Sequence, residues 1–200
     1  MPKVAILDSG IHVGHPHVGA VAGGFDATGL SGDWLDRIGH GTAVAGVIRD
    51  LAPDAELLAV KIFEGSLRTN LDIILRGIEW SLGQGADLIN LSLGTSNAEH
   101  AARLRQLVSR GGIWVSAARS YPGLIEGVIA VESDAGLERD QVRHLGGTRF
   151  AASPYPREIP GVPREKNLQG ISFAVANVTG LLARGVEGNA AQWLNKYSSS

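Results

Sequence analysis

Three residues of this chain have the types that nucleophilic catalysis needs, each at the kind of position where it could act. Ser172 lies near the start of Gly170-Ile171-Ser172-Phe173-Ala174-Val175-Ala176-Asn177-Val178-Thr179-Gly180, and small or apolar residues continue to Leu182. Ala174, Val175, Val178, Leu181 and Leu182 fall at helical spacing, so the run reads as a buried helix with Ser172 as its cap or in its first turn. Free backbone N–H groups and the helix dipole favour negative charge on an oxygen there. A serine at a helix start is ordinarily a cap, so position alone does not make it a nucleophile. Asp8 ends the strand-like run Val4-Ala5-Ile6-Leu7, where open α/β sheets place their ligands; an aspartate before Ser9-Gly10 also suits a turn. His40 stands between Gly39 and Gly41 at the head of the helical run Ala43-Val44-Ala45-Gly46-Val47-Ile48. A serine hydroxyl needs a base within hydrogen-bond reach, and an imidazole base needs a carboxylate to hold its tautomer and stabilise its cation.

The elements between them decide whether they can meet. Strands are expected at Val4–Leu7, Gly24–Ala27, Glu56–Ile62, Asp87–Ser92, Ile113–Ala117 and Gly127–Val131. Asn70 caps an amphipathic helix with Leu71, Ile74, Leu75, Ile78 and Leu82 on one face, closed by Gly83 or Gly85. A second such helix covers residues 97–110, with Ala101, Leu104 and Leu107 inward. This alternation predicts an α/β fold, three layers with a mostly parallel central sheet and helices on both faces. In such a sheet, strand ends and the loops beyond them share one edge, which lets distant residues converge. Arg143–Leu145 and Thr148–Ala151 read as a hairpin across Gly146-Gly147. Pro154, Pro156, Pro160 and Pro163 stiffen the loop leading to Ser172, and a short helix at Asn189–Tyr197 docks through Trp193 and Leu194. Ser198–Ser200 are expected to fray.

Two hundred residues, 44% apolar and 19% charged, describe a globular chain and one expected domain, residues 1–200. A net charge of −2 gives no general attraction to nucleic acid or anionic membrane. No cysteine is present, which excludes disulfides, thiolate metal sites and a cysteine nucleophile but leaves the compartment open. The strand-like start carries no signal-peptide pattern, and no apolar run has membrane-span length, so a cytoplasmic location is expected. His12, His15 and His17 sit in a Gly/Pro loop at a spacing that matches no standard zinc motif. No metal or other cofactor is expected, and the glycine-rich turns match neither a dinucleotide fingerprint nor a phosphate loop.

Leu7-Asp8-Ser9-Gly10-Ile11 with the following His15-Pro16, His40-Gly41-Thr42-Ala43-Val44-Ala45-Gly46, and Gly170-Ile171-Ser172-Phe173-Ala174 resemble the aspartate, histidine and serine blocks of the subtilisin-like serine proteases. Pro53 to Gly94 resembles the family almost throughout, notably Ala59-Val60-Lys61, Gly77-Ile78-Glu79-Trp80 and Asn90-Leu91-Ser92-Leu93-Gly94. The chain order Asp, His, Ser is a recognised property of the family, not something spacing derives. The resemblance implies that Ser172 attacks the scissile carbonyl, His40 shuttles the proton and Asp8 orients His40. It further implies that Ser92, Leu93 and Gly94 line the first specificity pocket. Ser66, Leu67 and Arg68 would pair with an extended peptide or protein substrate as an added strand.

The sequence departs from the family at informative places. The oxyanion asparagine is absent: after the strand at Ile113–Ala117 the chain runs Ala118-Arg119-Ser120-Tyr121-Pro122, with Ser120 at the asparagine's place and roughly ten residues of pocket floor missing. Loss of that donor from subtilisin itself costs about 10²–10³ in kcat. Ser120 or Arg119 is the candidate replacement, with Arg119 long enough to enter the vacated floor and meet an oxyanion or an acidic side chain. Ala176-Asn177 replaces the usual Pro-His and is expected to matter for packing. The reading is therefore a short, propeptide-less serine endopeptidase, slow or narrowly specific, with large apolar side chains disfavoured in the first pocket. The alternative is a catalytically impaired pseudoprotease that binds a peptide or protein partner in the groove.

Overall fold

The computed structural model describes residues 1–185 and 189–198. Its centre is one eight-stranded sheet, formed by β1 (Lys3–Asp8), β2 (Gly23–Asp26), β3 (Glu56–Lys61), β4 (Leu88–Leu91), β5 (Ile113–Ala117), β6 (Ile129–Ser133), β7 (Val142–Gly146) and β8 (Arg149–Ala152). The strand order is β2-β3-β1-β4-β5-β6-β8-β7. All pairings are parallel except β7 with β8. The α/β architecture expected from the alternation is thus the observed one. The Gly146-Gly147 hairpin is present too, with both glycines at positive φ. It is no satellite, because β8 also pairs with β6 and extends the sheet.

Alternate residues of each strand face opposite sides, and both sides are buried. Val4 and Ile6 join a core under α1 (His40–Leu51), α4 (Ile171–Ala183) and α5 (Ala190–Asn195). Ala5 and Leu7 join a second core under α2 (Leu71–Gly83) and α3 (Glu99–Val108). Asn70 caps α2 by accepting from the Ile73 N–H at 3.0 Å. In α3 the residues expected inward, Ala101, Leu104 and Leu107, are the buried ones. β6 starts two residues later than expected and runs on to Ser133.

α4 is apolar all round because it lies between the sheet and its neighbours; Phe173 to Ala183 are all buried. Gly180 lets it approach α1, where an added Cβ would lie 2.8 Å from Leu51 Cβ. In α5, Leu194 is fully buried and Trp193 Nε1 donates to Leu181 O at 3.2 Å. Ser198 is held by a bridge to Val142, so at this residue the expected fraying gives way to strand pairing. Ser199 and Ser200 lie outside the described residues.

Candidate active site

β1 has β3 on one side and β4 on the other, so the strand order reverses there and a crevice opens beyond its C-terminal end. Asp8, the last residue of β1, stands in it with a side chain 1% exposed. α1 delivers His40 from the opposite direction. Gly39 precedes the helix at φ +92, a left-handed conformation that costs a glycine nothing. Gly41 then allows the helix start to lie against β1, since a Cβ there would sit 2.2 Å from Gly10 O and 3.1 Å from Asp8 Cβ. His40 Nδ1 meets Asp8 Oδ1 at 2.7 Å. With Nδ1–H donating to the carboxylate, Nε2 keeps its lone pair free.

A second carboxylate fixes this pair. Asp36 accepts from the Ser9 hydroxyl, from the Ile38, Gly39 and Thr42 N–H groups and from the Thr42 hydroxyl, at 2.6–2.9 Å. Ser9 Oγ in turn accepts from the Gly41 N–H at 2.9 Å, while the Ser9 N–H donates to Asp8 Oδ1 at 2.7 Å. Burial pushes the Asp36 carboxyl up, yet the hydrogen bonds from Thr42, Gly39 and Ile38 outweigh it and hold it below the ordinary aspartate value. Burial likewise works against the His40 cation. The hydrogen bond and charge of Asp8, with the charge of Asp36, overcome it, so the His40 pKa is raised above 6.5. Sequence reading passed over Asp36. Its only signal was an acid shortly before a helix start, near N–H groups that lack helical partners.

α4 begins at Ile171, which makes Ser172 a first-turn residue and not the cap. Ser92 Oγ donates to Ser172 O at 3.4 Å and accepts from Asn90 Nδ2 at 3.2 Å; Asn90 Oδ1 accepts from the buried Thr179 hydroxyl at 2.8 Å. This chain of bonds ties the first turn of α4 to the end of β4. The neighbouring Phe173 ring lies 5.9 Å from the His40 ring, centroid to centroid. The two helix starts and the β1 end therefore converge. Among the described residues, no hydrogen bond joins the Ser172 hydroxyl to His40.

The other candidate residues divide. Leu67, Arg68, Leu93 and Gly94 face one another across a groove of about 930 Å³. Ser66 is exposed beside it, and Ser92 is turned inward to the bonds just described. Arg119 requires a correction. Its side chain is 89% exposed and pairs with Glu132 at 3.4 Å, at the rim of an open cavity of about 440 Å³ that Ala118, Ser120 and Ile171 also line. A guanidinium with a carboxylate available at the surface gains nothing by entering a site that lacks one. Ser120 packs its side chain over Gly94. The His15 ring lies edge to face with both His12 and His17, at 6.3 and 5.1 Å between centroids. Among the described residues no three His, Asp or Glu side chains are grouped as a metal site. Asn177 is completely buried and donates to Ser153 O and Tyr155 O, at 2.9 and 3.1 Å, pinning the proline loop to α4.

Residues 1–133 match the profile of the Subtilase family. The chain belongs to that family. It is 31% identical over 219 residues to the Thermostable alkaline protease of Halalkalibacterium halodurans, covering 98% of this chain and 58% of that protein. Against Subtilisin DY of Bacillus licheniformis it is 31% identical over 220 residues, covering 98% of this chain and 77% of that one. The chain thus spans little more than half the length of some curated relatives. A solved cold adapted subtilisin-like serine proteinase superposes with a TM-score of 0.72 at 21% identity, over 90% of this chain and 73% of that one; that likeness concerns the fold. No helix among the described residues is long and apolar enough to cross a membrane.

Proposed function

We propose that this subtilase is a serine endopeptidase working as one domain, with Ser172 as nucleophile, His40 as general base and acid, and Asp8 as the group that orients His40. The observation that carries this is the 2.7 Å Asp8–His40 pair facing the helix start that bears Ser172. The Ser172 hydroxyl attacks the carbonyl carbon of an extended peptide as His40 Nε2 takes its proton. The carbonyl π electrons move to oxygen, and the backbone N–H of Ser172, free at the helix start, donates to that oxyanion. Collapse expels the amine, which takes the proton from His40 and leaves the acyl group on Ser172 Oγ; water then attacks this ester as His40 takes its proton, and His40 returns that proton to Ser172 Oγ as the acid departs.

The missing asparagine supports attenuated turnover. It also keeps a second reading in play, a pseudoprotease that holds a peptide in the Leu67–Leu93 groove without cutting it. With Arg119 facing solvent and the Ser92 hydroxyl engaged with Ser172 O, the backbone N–H of Ser172 and the short Ser120 hydroxyl are the candidate oxyanion donors among the described residues. Incubation with a fluorophosphonate probe separates the two. Labelling that disappears in Ser172→Ala is expected, and its absence in the wild type selects the binding reading.

A further inference from the structure

The two segments that would flank the side chain of the residue being cut are closed onto each other. A Cβ added to Gly94 would fall 1.9 Å from Ser120 Oγ, 2.5 Å from Ser120 Cβ and 2.9 Å from Tyr121 O. The serine side chain therefore occupies the space over the glycine. One residue further along each segment, Thr95 and Tyr121 form an antiparallel bridge. Thr95 N–H donates to Tyr121 O at 3.0 Å, and Tyr121 N–H donates to Thr95 O at 2.9 Å. Backbones joined by such a reciprocal pair run about 5.5 Å apart. A flat side chain inserted between two walls needs roughly 7–8 Å, twice a carbon–carbon contact distance. The turn behind Ser120 packs closely on the end of β5, where a Cβ on Gly123 would lie 2.0 Å from Ala117 O. The neighbouring groove past Leu67 and Leu93 keeps its volume of about 930 Å³.

We propose that Ser120 and the Thr95–Tyr121 bridge abolish the first specificity pocket, so that the chain accepts glycine as the residue whose carbonyl is attacked and selects substrates through more distant side chains. This rests on the peptidase reading above, and it goes beyond disfavouring large side chains, because the Ser120 side chain already fills the space over Gly94. Glycine presents no side chain, and its backbone can still lie along Gly94.

The test uses a peptidyl-aminomethylcoumarin series identical except for Gly, Ala, Leu or Phe before the scissile bond, alongside fluorophosphonate labelling. Glycine is expected to exceed alanine at least tenfold in kcat/KM, with leucine and phenylalanine uncut. Ser120→Gly is expected to raise alanine relative to glycine. Phenylalanine or leucine cut as well as glycine overturns the proposal while leaving the peptidase reading intact. A chain that takes no label fails the peptidase reading instead, and the closed pocket is then read from stability. Gly94→Ala is expected to lower Tm, or to prevent folding, and Ser120→Gly in the same chain to restore it. A neutral Gly94→Ala, or no restoration by the second change, overturns the closure.

Discussion

Ser9 Oγ donates to Asp36 Oδ1 at 2.9 Å while accepting from the Gly41 N–H at 2.9 Å. One hydroxyl thus clamps the turn after Asp8 to the first turn of the helix that carries His40. Removing the carboxylate leaves several N–H and O–H donors short of a partner, each costing on the order of 1–3 kcal/mol where water cannot replace it. Asp36→Ala is expected to cost about 2–3 kcal/mol in urea unfolding at pH 7. The carboxyl is held below its ordinary value of 3.8, so this stabilisation is present above that pH and fades as pH falls through the folded value. The gap between wild type and variant should therefore narrow in acid; a gap that widens there contradicts the assignment.

The raised His40 pKa makes two opposite predictions. As a base, His40 must be neutral, so the acid limb of kcat/KM should have its midpoint above 6.5. For stability the sign reverses. The Asp8–His40 contribution is fully present below the unfolded value of 6.5 and is lost as pH rises through the folded pKa. Chemical denaturation of wild type and His40→Gln across this range checks the second. Rate assays with a glycyl coumarin substrate check the first, and a midpoint below 6.5 would count against the geometry.

Asp8→Asn keeps the size of the side chain but removes the charge that holds the His40 tautomer. A fall of about 10⁴ in kcat is expected, the scale seen when serine proteases lose this charge. Near-normal turnover would show that another group orients His40.

Gly41→Ala puts a methyl group within 2.2 Å of Gly10 O and 3.2 Å of Asp8 Oδ1. The helix start must back away from β1, lengthening the Asp8–His40 contact. Fluorophosphonate labelling is expected to slow more than tenfold and Tm to fall. Unchanged labelling would mean that the helix start yields freely, contrary to its packing.

Asn177→Ala deletes two buried donors and strands Ser153 O and Tyr155 O. It should destabilise by about 1–3 kcal/mol. Limited proteolysis should then cut first between Pro154 and Gln169, the segment this side chain holds. A cut elsewhere would show the loop is anchored by other contacts.

The sequence by itself determined the elements and their sidedness. Continuous apolar runs bounded by turns specified the strands, which are buried on both faces; helical spacing specified α2 and α3, buried on one face, and a longer small and apolar run specified α4. Asp8, His40 and Ser172 stood out by type, each near an element's end, but only the resemblance to the subtilisin-like serine proteases joined them in that order. Only the tertiary structure decided what depends on through-space partners. Asp36 looked like any loop acid until the fold brought Ser9, Gly39 and Thr42 around it. Arg119 looked long enough to reach inward, and Glu132, thirteen residues away, holds it at the surface. Ser120 was read as a candidate donor, and the fold also lays its side chain over Gly94, beside the Thr95–Tyr121 pair. A hydrogen bond or a clash between residues far apart in the chain has no periodicity, so the linear pattern cannot announce it.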